Sequence, residues 1–171
     1  MSNIILIGFM GSGKTSIGIQ LAKKLAFQFK DTDRIIEDNC GRSIKSIFAE
    51  EGEGFFRELE TKTVKDLIDK TENHVISVGG GLPVQPGNGE LLRQLGHVIY
   101  LNTSRDTIIK RLSGDTTRPL LSGDNPKEKV ESMLKLREPL YEAAAHLTVI
   151  TDDRKIGDII EEIIRRIGVI Q

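Results

Sequence analysis

Residues 8–15 read GFMGSGKT and lie between an apolar run at residues 4–7 (IILI) and a stretch of helical periodicity that begins at Lys14. This is the G-x-x-x-x-G-K-[ST] pattern of a P-loop, whose glycines let backbone N–H groups turn toward phosphate oxygens. Ordinary residue frequencies give about one chance match per hundred chains of this length. The apolar run before the motif and the helix after it lower that frequency further. The motif therefore predicts that the chain binds a nucleoside triphosphate.

The pattern also assigns roles to individual residues of the loop. Lys14 supplies a positive charge for the β- and γ-phosphates, and the Thr15 hydroxyl is a ligand for Mg²⁺. The positive end of the helix dipole faces the same anion. We therefore expect the nucleotide to be bound by Gly11, Ser12, Gly13, Lys14, Thr15 and Ser16, with Mg²⁺ as the cofactor.

Composition excludes several other classes of function. Lys and Arg number 24 and Asp and Glu 25, for a net charge of -1, whereas nucleic-acid and membrane-surface binders normally carry a basic excess. Cys40 is the one cysteine, which excludes an internal disulfide and a cysteine-based zinc site. No apolar run is long enough to span a bilayer, and residues 1–3 carry no basic leader. We expect a cytoplasmic protein with no nucleic-acid or membrane partner.

Apolar runs of strand length alternate with amphipathic stretches along the whole chain. Most of these runs are nearly continuous in Val, Ile and Leu, which is typical of parallel strands covered on both faces. The alternation predicts a doubly wound α/β sheet in a single domain that spans residues 1–171. The predicted strands are residues 4–7, 26–29, 75–78, 98–101 and 147–150.

Two segments interrupt this alternation. Residues 79–89 contain five glycines and two prolines and are predicted to form a loop. Residues 113–126 are polar, contain Gly and Pro, and lack an apolar period, which predicts a lid. His74, His97 and His146 lie at the starts of predicted strands and outside every motif, so no histidine is assigned to catalysis.

A P-loop alone does not define the reaction. GTPases carry an Asn-Lys-x-Asp motif, which this chain lacks, and no strand of four aliphatic residues ends in the acid of an ordinary Walker B motif. Asp31, which follows residues 27–30 (FQFK), is the nearest substitute for that acid. Small-metabolite kinases therefore remain the favoured class.

Two carboxylates, Asp31 and Asp33, close the second predicted strand, at the edge where ligands bind in open α/β sheets. One could help to hold Mg²⁺, and the other could contact an acceptor hydroxyl as a base or as an orienting group. The alternative is a helix N-cap before residues 34–36, which is a common use of Asp.

Two arginines lie in helical stretches that could face the same edge. Arg57 is one turn from Glu60, and the alternative to a binding role is a surface ion pair worth a few tenths of a kcal/mol. Arg137 is followed closely by Pro139, which predicts a kink or a break in that helix. Both arginines could bind a carboxylate, and the glycines at residues 79–81 would let a ligand approach the backbone. Together these residues predict a pocket for a small polyhydroxylated acid.

The combination resembles the shikimate kinase family along most of the chain, in order and in spacing. The matching segments are residues 8–11 (GFMG) with Lys14 and Thr15, residues 31–33 (DTD), residues 56–57 (FR) with Glu60, residues 79–81 (GGG), residues 117–121 (TRPLL), and Arg137 with Pro139 and Tyr141. Ser12 and Val78 stand where alanine and threonine are frequent in that family, and neither departure removes a required group.

The resemblance implies a three-layer sandwich with a five-stranded parallel sheet, of the nucleoside-monophosphate-kinase-like class of P-loop proteins. It implies ATP and shikimate as substrates, an acceptor-binding region at about residues 31–61, and a lid at about residues 113–126. The catalytic residues would be Lys14, Asp33 and Arg118, with Asp31 and Thr15 near Mg²⁺. Shikimate would contact Asp33, Arg57, Gly79, Gly80, Gly81 and Arg137. The nucleotide would also contact Arg111, Arg118 and Arg154. The protein would be a monomer.

Two other functions remain as alternatives. A gluconate-type kinase would share the P-loop and the lid, but it would not need both Arg57 and Arg137. A nucleotide-dependent regulatory module without turnover would not need Lys14, Asp33 and Arg118. The P-loop of this chain lacks the Pro-Gly and Lys-Gly-Thr pattern of adenylate kinases.

Overall fold

The computed structural model of this protein describes residues 2–113 and 125–168. Within them, a five-stranded sheet is flanked by helices on both faces. The strands are β1 (Asn3–Ile7), β2 (Gln28–Asp31), β3 (His74–Ser77), β4 (Gly96–Asn102) and β5 (Leu147–Ile150). The helices are α1 (Lys14–Leu25), α2 (Thr32–Cys40), α3 (Ile44–Leu67), α4 (Asn88–Leu95), α5 (Arg105–Leu112), α6 (Pro126–Ala144) and α7 (Ile156–Ile167).

The strand order is β2-β3-β1-β4-β5, and every pair is parallel. The predicted five-stranded parallel sheet and the α/β class are therefore confirmed. Because the order reverses at β1, the loops that follow β1, β2 and β3 meet at one edge of the sheet, where ligands bind in such folds. This edge carries the P-loop, Asp31 and the glycines at residues 79–81.

The second strand begins later than predicted. Ala26 has a φ of 57° and ends α1, and its N–H bonds to the carbonyls of Ala22 and Lys23. Because that left-handed residue closes the helix, extended pairing starts only at Gln28, which lies opposite His74 of β3. The third strand is shifted the other way: it ends at Ser77, one residue before its predicted end at residue 78.

Three apolar clusters hold the elements together. One packs α3, α4, α5 and α6 against one face of the sheet, and a second packs α1 and α7 against the other face. A third, smaller cluster of Ile36, Ile47 and Phe56 joins α2 to α3. Within α3, Gly52 has a φ of 85° and interrupts the helical geometry.

The predicted break near Pro139 is wrong, because α6 continues through this proline to Ala144. A proline inside a helix lacks the N–H that would bond to the preceding turn. Tertiary packing offsets that loss, since Leu134 before it and Tyr141 after it are both buried in the core. Most of the predicted lid, including Arg118, lies outside the described residues.

Candidate active site

The P-loop joins β1 to α1 by a turn in which glycines adopt backbone conformations that other residues rarely take. Gly11 and Gly13 have φ values of 83° and 91°, which side chains rarely adopt, and Gly13 is the residue that caps α1. The turn is closed by a bond from the Ser12 N–H to the Phe9 carbonyl, 3.1 Å long. The residues of the sequence motif therefore form the turn that the motif predicts.

Lys14 extends along the loop. Its ammonium donates to the carbonyl of Gly8 at 2.8 Å and to that of Phe9 at 3.1 Å. These carbonyls hold the charge on the loop whose backbone would surround a phosphate group. The positive charge and the amino terminus of α1 therefore lie together, as an anion site requires.

One cavity of about 430 Å³ adjoins this loop. It brings the predicted nucleotide residues together with part of the predicted acceptor site, and it extends to Thr151 and Ile156 beyond β5. The predicted residues that line it are Gly11, Ser12, Gly13, Lys14, Thr15, Ser16, Asp31, Asp33, Gly79, Gly80, Arg111 and Arg154.

Of the arginines predicted on the nucleotide side, the two that lie within the described residues have different partners. Arg111 donates to the carbonyl of Gly11 in the P-loop at 2.8 Å. Arg154 is bound by the Ile150 carbonyl at 2.8 Å and by Glu162 at 2.8 Å. In the turn before it, Asp152 accepts from the Ser104 N–H at 2.8 Å, so this turn is fastened to the start of α5.

Asp31 and Asp33 divide their structural roles. Oδ1 of Asp31 accepts from the N–H of Asp33 at 2.9 Å and from that of Arg34 at 3.5 Å, so Asp31 is the N-cap of α2. The cap interpretation is therefore confirmed for Asp31 and wrong for Asp33, which lies in the first turn of α2. The cap bonds use Oδ1 alone, so Oδ2 takes no part in the cap.

A turn of three glycines follows β3, and each glycine lies beneath a charged side chain. A Cβ on Gly79 would lie 2.8 Å from Glu60 Oε2 and 2.9 Å from Asp33 Oδ1. On Gly80 it would lie 3.3 Å from Arg137 Nη1, and on Gly81 2.6 Å from Arg57 Cζ. The absence of side chains on this turn therefore lets four charged groups from three helices converge above it.

The pair of Arg57 and Glu60 is buried, so the alternative of a surface ion pair is wrong. Arg57 Nη1 lies 2.7 Å from Glu60 Oε1, and the two side chains are 12% and 1% exposed. Burial raises the pKa of Glu60 to about 7, although the charge and the hydrogen bond of Arg57 oppose that shift. On its outer side Arg57 also bonds to Glu53, 2.9 Å away.

Arg137 reaches the turn from α6. Its guanidinium lies 5.5 Å from the centre of the Phe9 ring, and the residue is 8% exposed. Within the described part of the chain, Arg137 Nη1 and Glu60 Oε2 are buried without a hydrogen-bond partner. Such groups cost about 1–3 kcal/mol each, and they are consistent with a site whose remaining partner is a polar ligand.

Sequence reasoning assigned no role in the site to two aromatic residues and did not predict the burial of Glu60. Tyr141 donates to the Gly80 carbonyl at 2.6 Å, and burial raises its pKa to about 12. Phe9 lies under Arg137, although it is also a variable position of the P-loop pattern. The spacing of four residues between Arg137 and Tyr141 on one helix was an available signal, since such residues share a face.

Comparison with known proteins identifies close similarities over nearly the whole chain. A model of the shikimate kinase family matches residues 10–168. The shikimate kinase of Chlorobium chlorochromatii is 44% identical, over 97% of this chain and 90% of that protein. The shikimate kinase of Pseudomonas paraeruginosa is 42% identical, over 98% and 96%.

Solved structures show the same similarity. Shikimate kinase from Acinetobacter baumannii in complex with shikimate superposes with a TM-score of 0.94 at 39% identity, covering 99% of this chain and 94% of that one. A gluconokinase from Sinorhizobium meliloti 1021 superposes with a TM-score of 0.61 at 15% identity. That second likeness concerns the fold alone.

Proposed function

This chain belongs to the shikimate kinase family, and we propose that it transfers the γ-phosphate of ATP to the 3-hydroxyl of shikimate, giving shikimate 3-phosphate and ADP. The observation that carries the proposal is the convergence of Asp33, Arg57 and Arg137 on the glycine turn beside the P-loop cavity. Two arginines suit the carboxylate of such an acceptor, and Asp33 suits a hydroxyl.

On the donor side, the backbone N–H groups of Gly11, Ser12 and Gly13 and the charge of Lys14 bind the phosphates, and Ser16 adds a contact at the start of α1. Lys14 also stabilises the charge that develops on the transferring phosphoryl group. Arg111 and Arg154 lie on the nucleotide side of the same cavity and contact the base.

The ligands that we propose for Mg²⁺ are the Thr15 hydroxyl and the Asp31 carboxylate. Both line the cavity, and both offer the hard oxygen atoms that this ion prefers. Across residues 2–113 and 125–168, no three His, Cys, Asp or Glu side chains cluster as a metal site. Mg²⁺ bound with a nucleotide normally keeps several waters and takes only one or two carboxylates, so this sparse set fits. When bound, the ion would neutralise phosphate charge.

On the acceptor side, Arg57 and Arg137 bind the shikimate carboxylate, and the backbone of Gly79, Gly80 and Gly81 packs against its ring. Asp33 then orients the 3-hydroxyl toward the γ-phosphate or accepts its proton as the oxygen attacks. Arg118 in the lid at residues 113–126 brings a further charge to the phosphates.

The chain acts as a single P-loop kinase domain over residues 1–171, as a monomer in the cytoplasm, without nucleic acid. In the described residues, no helix has both the length and the apolar character needed to cross a membrane. A single peak of about one chain mass in size-exclusion chromatography is the expected result for the monomer.

A panel of acceptors tests the proposal. ADP release is measured with shikimate, gluconate, nucleoside monophosphates, and no acceptor, each at the same concentration of MgATP. We expect turnover to be fastest with shikimate and negligible without an acceptor. Faster turnover of gluconate or a nucleotide would overturn the assignment, and ADP release that ignores every acceptor would favour a module without transfer.

A further inference from the structure

The acceptor site requires that α3 and the glycine turn keep a set distance, because Arg57 and Glu60 lie on α3 and cover Gly81 and Gly79. These two elements are far apart in sequence and are joined by neither a strand pair nor a shared turn. A specific link between them would therefore control how well Arg57 is placed for a ligand carboxylate.

Asn88 provides such a link, although it lies outside the cavity. Its side-chain amide donates to the Leu82 carbonyl at 3.0 Å, next to the last glycine of the turn. Its carbonyl oxygen accepts from the Thr61 hydroxyl of α3, also at 3.0 Å. Asn88 is 1% exposed, so its bond to Leu82 is shielded from water, and its bond to Thr61 is partly buried.

The arrangement on each side strengthens the link. Thr61 is four residues after Arg57, on the same face of α3, and both line one surface groove with Gln85. On the turn side, the Leu82 N–H donates to Gly79 at 3.0 Å, and the Gln85 side chain donates to the Gly81 carbonyl at 3.2 Å. Hydrogen bonds within the turn thus fix its shape, and the bond from Asn88 to Leu82 attaches the turn to α4.

The side chain of Asn88 does not cap α4, the helix in which it lies. The cap of α4 is Gly87, and the cap makes no side-chain bond. Both ends of the Asn88 amide are used instead on groups outside α4. This use is typical of a residue that fixes the relative position of two other elements.

We propose that Thr61 and Asn88 form a positioning bridge that sets the placement of Arg57 over the glycine turn, and thereby the affinity for the acceptor. The proposal rests on the proposed function for the identity of that acceptor, shikimate. Neither residue touches the reacting atoms. Their effect reaches the substrate through Arg57 and through the backbone of Gly81.

Four variants separate positioning from general stability. Thr61→Val removes the hydroxyl and keeps the side-chain shape, whereas Thr61→Ser keeps the hydroxyl. The matched control is Thr63→Val, because the Thr63 hydroxyl is also largely buried on α3 but donates to Leu59 of the same helix, at 2.8 Å. Asn88→Ala removes the other half of the bridge.

We expect Thr61→Val and Asn88→Ala to raise the KM for shikimate roughly tenfold, since small displacements in a binding site cost large factors. The KM for ATP should stay within about twofold. Thr61→Ser should restore the wild-type value, and Thr63→Val should leave both constants unchanged. Hydrogen exchange at residues 79–82 should accelerate in the two bridge variants alone.

An unchanged KM for shikimate in folded Thr61→Val would overturn the bridge, and so would an equal rise in Thr63→Val. Thr61→Val decides the question even if Asn88→Ala does not fold. If the wild-type protein does not phosphorylate shikimate, the proposed function fails instead. Exchange at residues 79–82 then still decides whether the bridge holds the turn.

Discussion

The donor side and the acceptor side of this site are built in opposite ways. The P-loop is one stretch of eight residues, and its lysine bonds to carbonyls of the same loop, those of Gly8 and Phe9. The acceptor side takes its charged groups from three helices, and buried atoms of Glu60 and Arg137 have no hydrogen-bond partner among the described residues. The donor side thus depends largely on local backbone geometry, whereas the acceptor side depends on side chains that the fold brings together from three helices.

This contrast predicts that changes on the donor side affect turnover, whereas changes on the acceptor side act selectively on shikimate. The largest effect is expected for Lys14→Met. Its charge serves the transferring phosphoryl group, so kcat should fall by a factor of about 1,000 or more. Thermal unfolding should remain cooperative, and a loss of cooperativity would point to a structural role for Lys14.

The next largest effect is expected for Asp33→Asn, at the border between the two sides. Asn keeps the shape but cannot accept a proton, so kcat should fall about 100-fold or more if Asp33 acts on the hydroxyl. The matched control is Asp31→Asn, because Asp31 is the cap of α2 and Asn caps about as well as Asp. This control should leave the unfolding temperature unchanged. A near-normal kcat for Asp33→Asn would remove it from catalysis.

On the acceptor side, Arg57→Ala and Arg137→Ala should weaken shikimate binding far more than ATP binding. A charge-assisted hydrogen bond to a bound carboxylate is worth about 1.5–3 kcal/mol, or roughly ten- to a hundred-fold in affinity. Titration calorimetry with each substrate measures the difference. Arg34→Ala is the control, since this arginine is exposed on α2 and pairs with Asp38. Equal losses for both substrates would show that the two arginines are structural.

A smaller effect concerns the pH dependence of stability. Because burial raises the pKa of Glu60 from 4.5 to about 7, the folded state binds a proton that the unfolded state releases between these values. The contribution of protonated Glu60 to the free energy of unfolding is present below pH 4.5 and is lost as the pH rises toward 7. Relative to Glu60→Gln, the wild-type free energy of unfolding should fall over this range, by a quantity on the order of 2 kcal/mol.

Denaturant unfolding at several pH values measures this difference. Glu53→Gln is the control, because Glu53 also binds Arg57 but is half exposed to solvent. The control should follow the wild-type pH profile. If the wild type and Glu60→Gln have parallel profiles between pH 4.5 and 7, Glu60 does not titrate there.

The smallest effect is expected for Ser12, a donor-side residue whose side-chain hydroxyl, unlike the Lys14 ammonium, is not bound by the loop backbone. Ser12 Oγ is buried without a hydrogen-bond partner among the described residues, and such a hydroxyl costs about 1–3 kcal/mol. Ser12→Ala should therefore leave the free energy of unfolding unchanged or raise it by about 1 kcal/mol. The control is Thr103→Val. The buried hydroxyl of Thr103 bonds to that of Thr151 at 2.6 Å, so its removal should destabilise the protein. A loss of stability in Ser12→Ala would contradict this account.

The sequence by itself determined the P-loop, the α/β class and the positions of the strands to within about two residues. These features depend on interactions close in sequence, such as apolar periodicity and the backbone freedom of Gly11 and Gly13. The same patterns predicted a pocket for a small acid, the resemblance to one family named that acid, and the comparisons confirm the family. Each of these inferences needed only the order and spacing of residues.

Tertiary structure alone decided how the acceptor groups meet. A spacing of three residues allowed Arg57 and Glu60 to be a surface pair, but packing against the glycine turn buries them and raises the pKa of Glu60. Packing also keeps α6 continuous through Pro139. The bridge from Thr61 to Asn88 spans 27 residues, so no local pattern reveals it. Burial and long-range hydrogen bonds depend on the assembled fold, and short-range sequence patterns do not encode them.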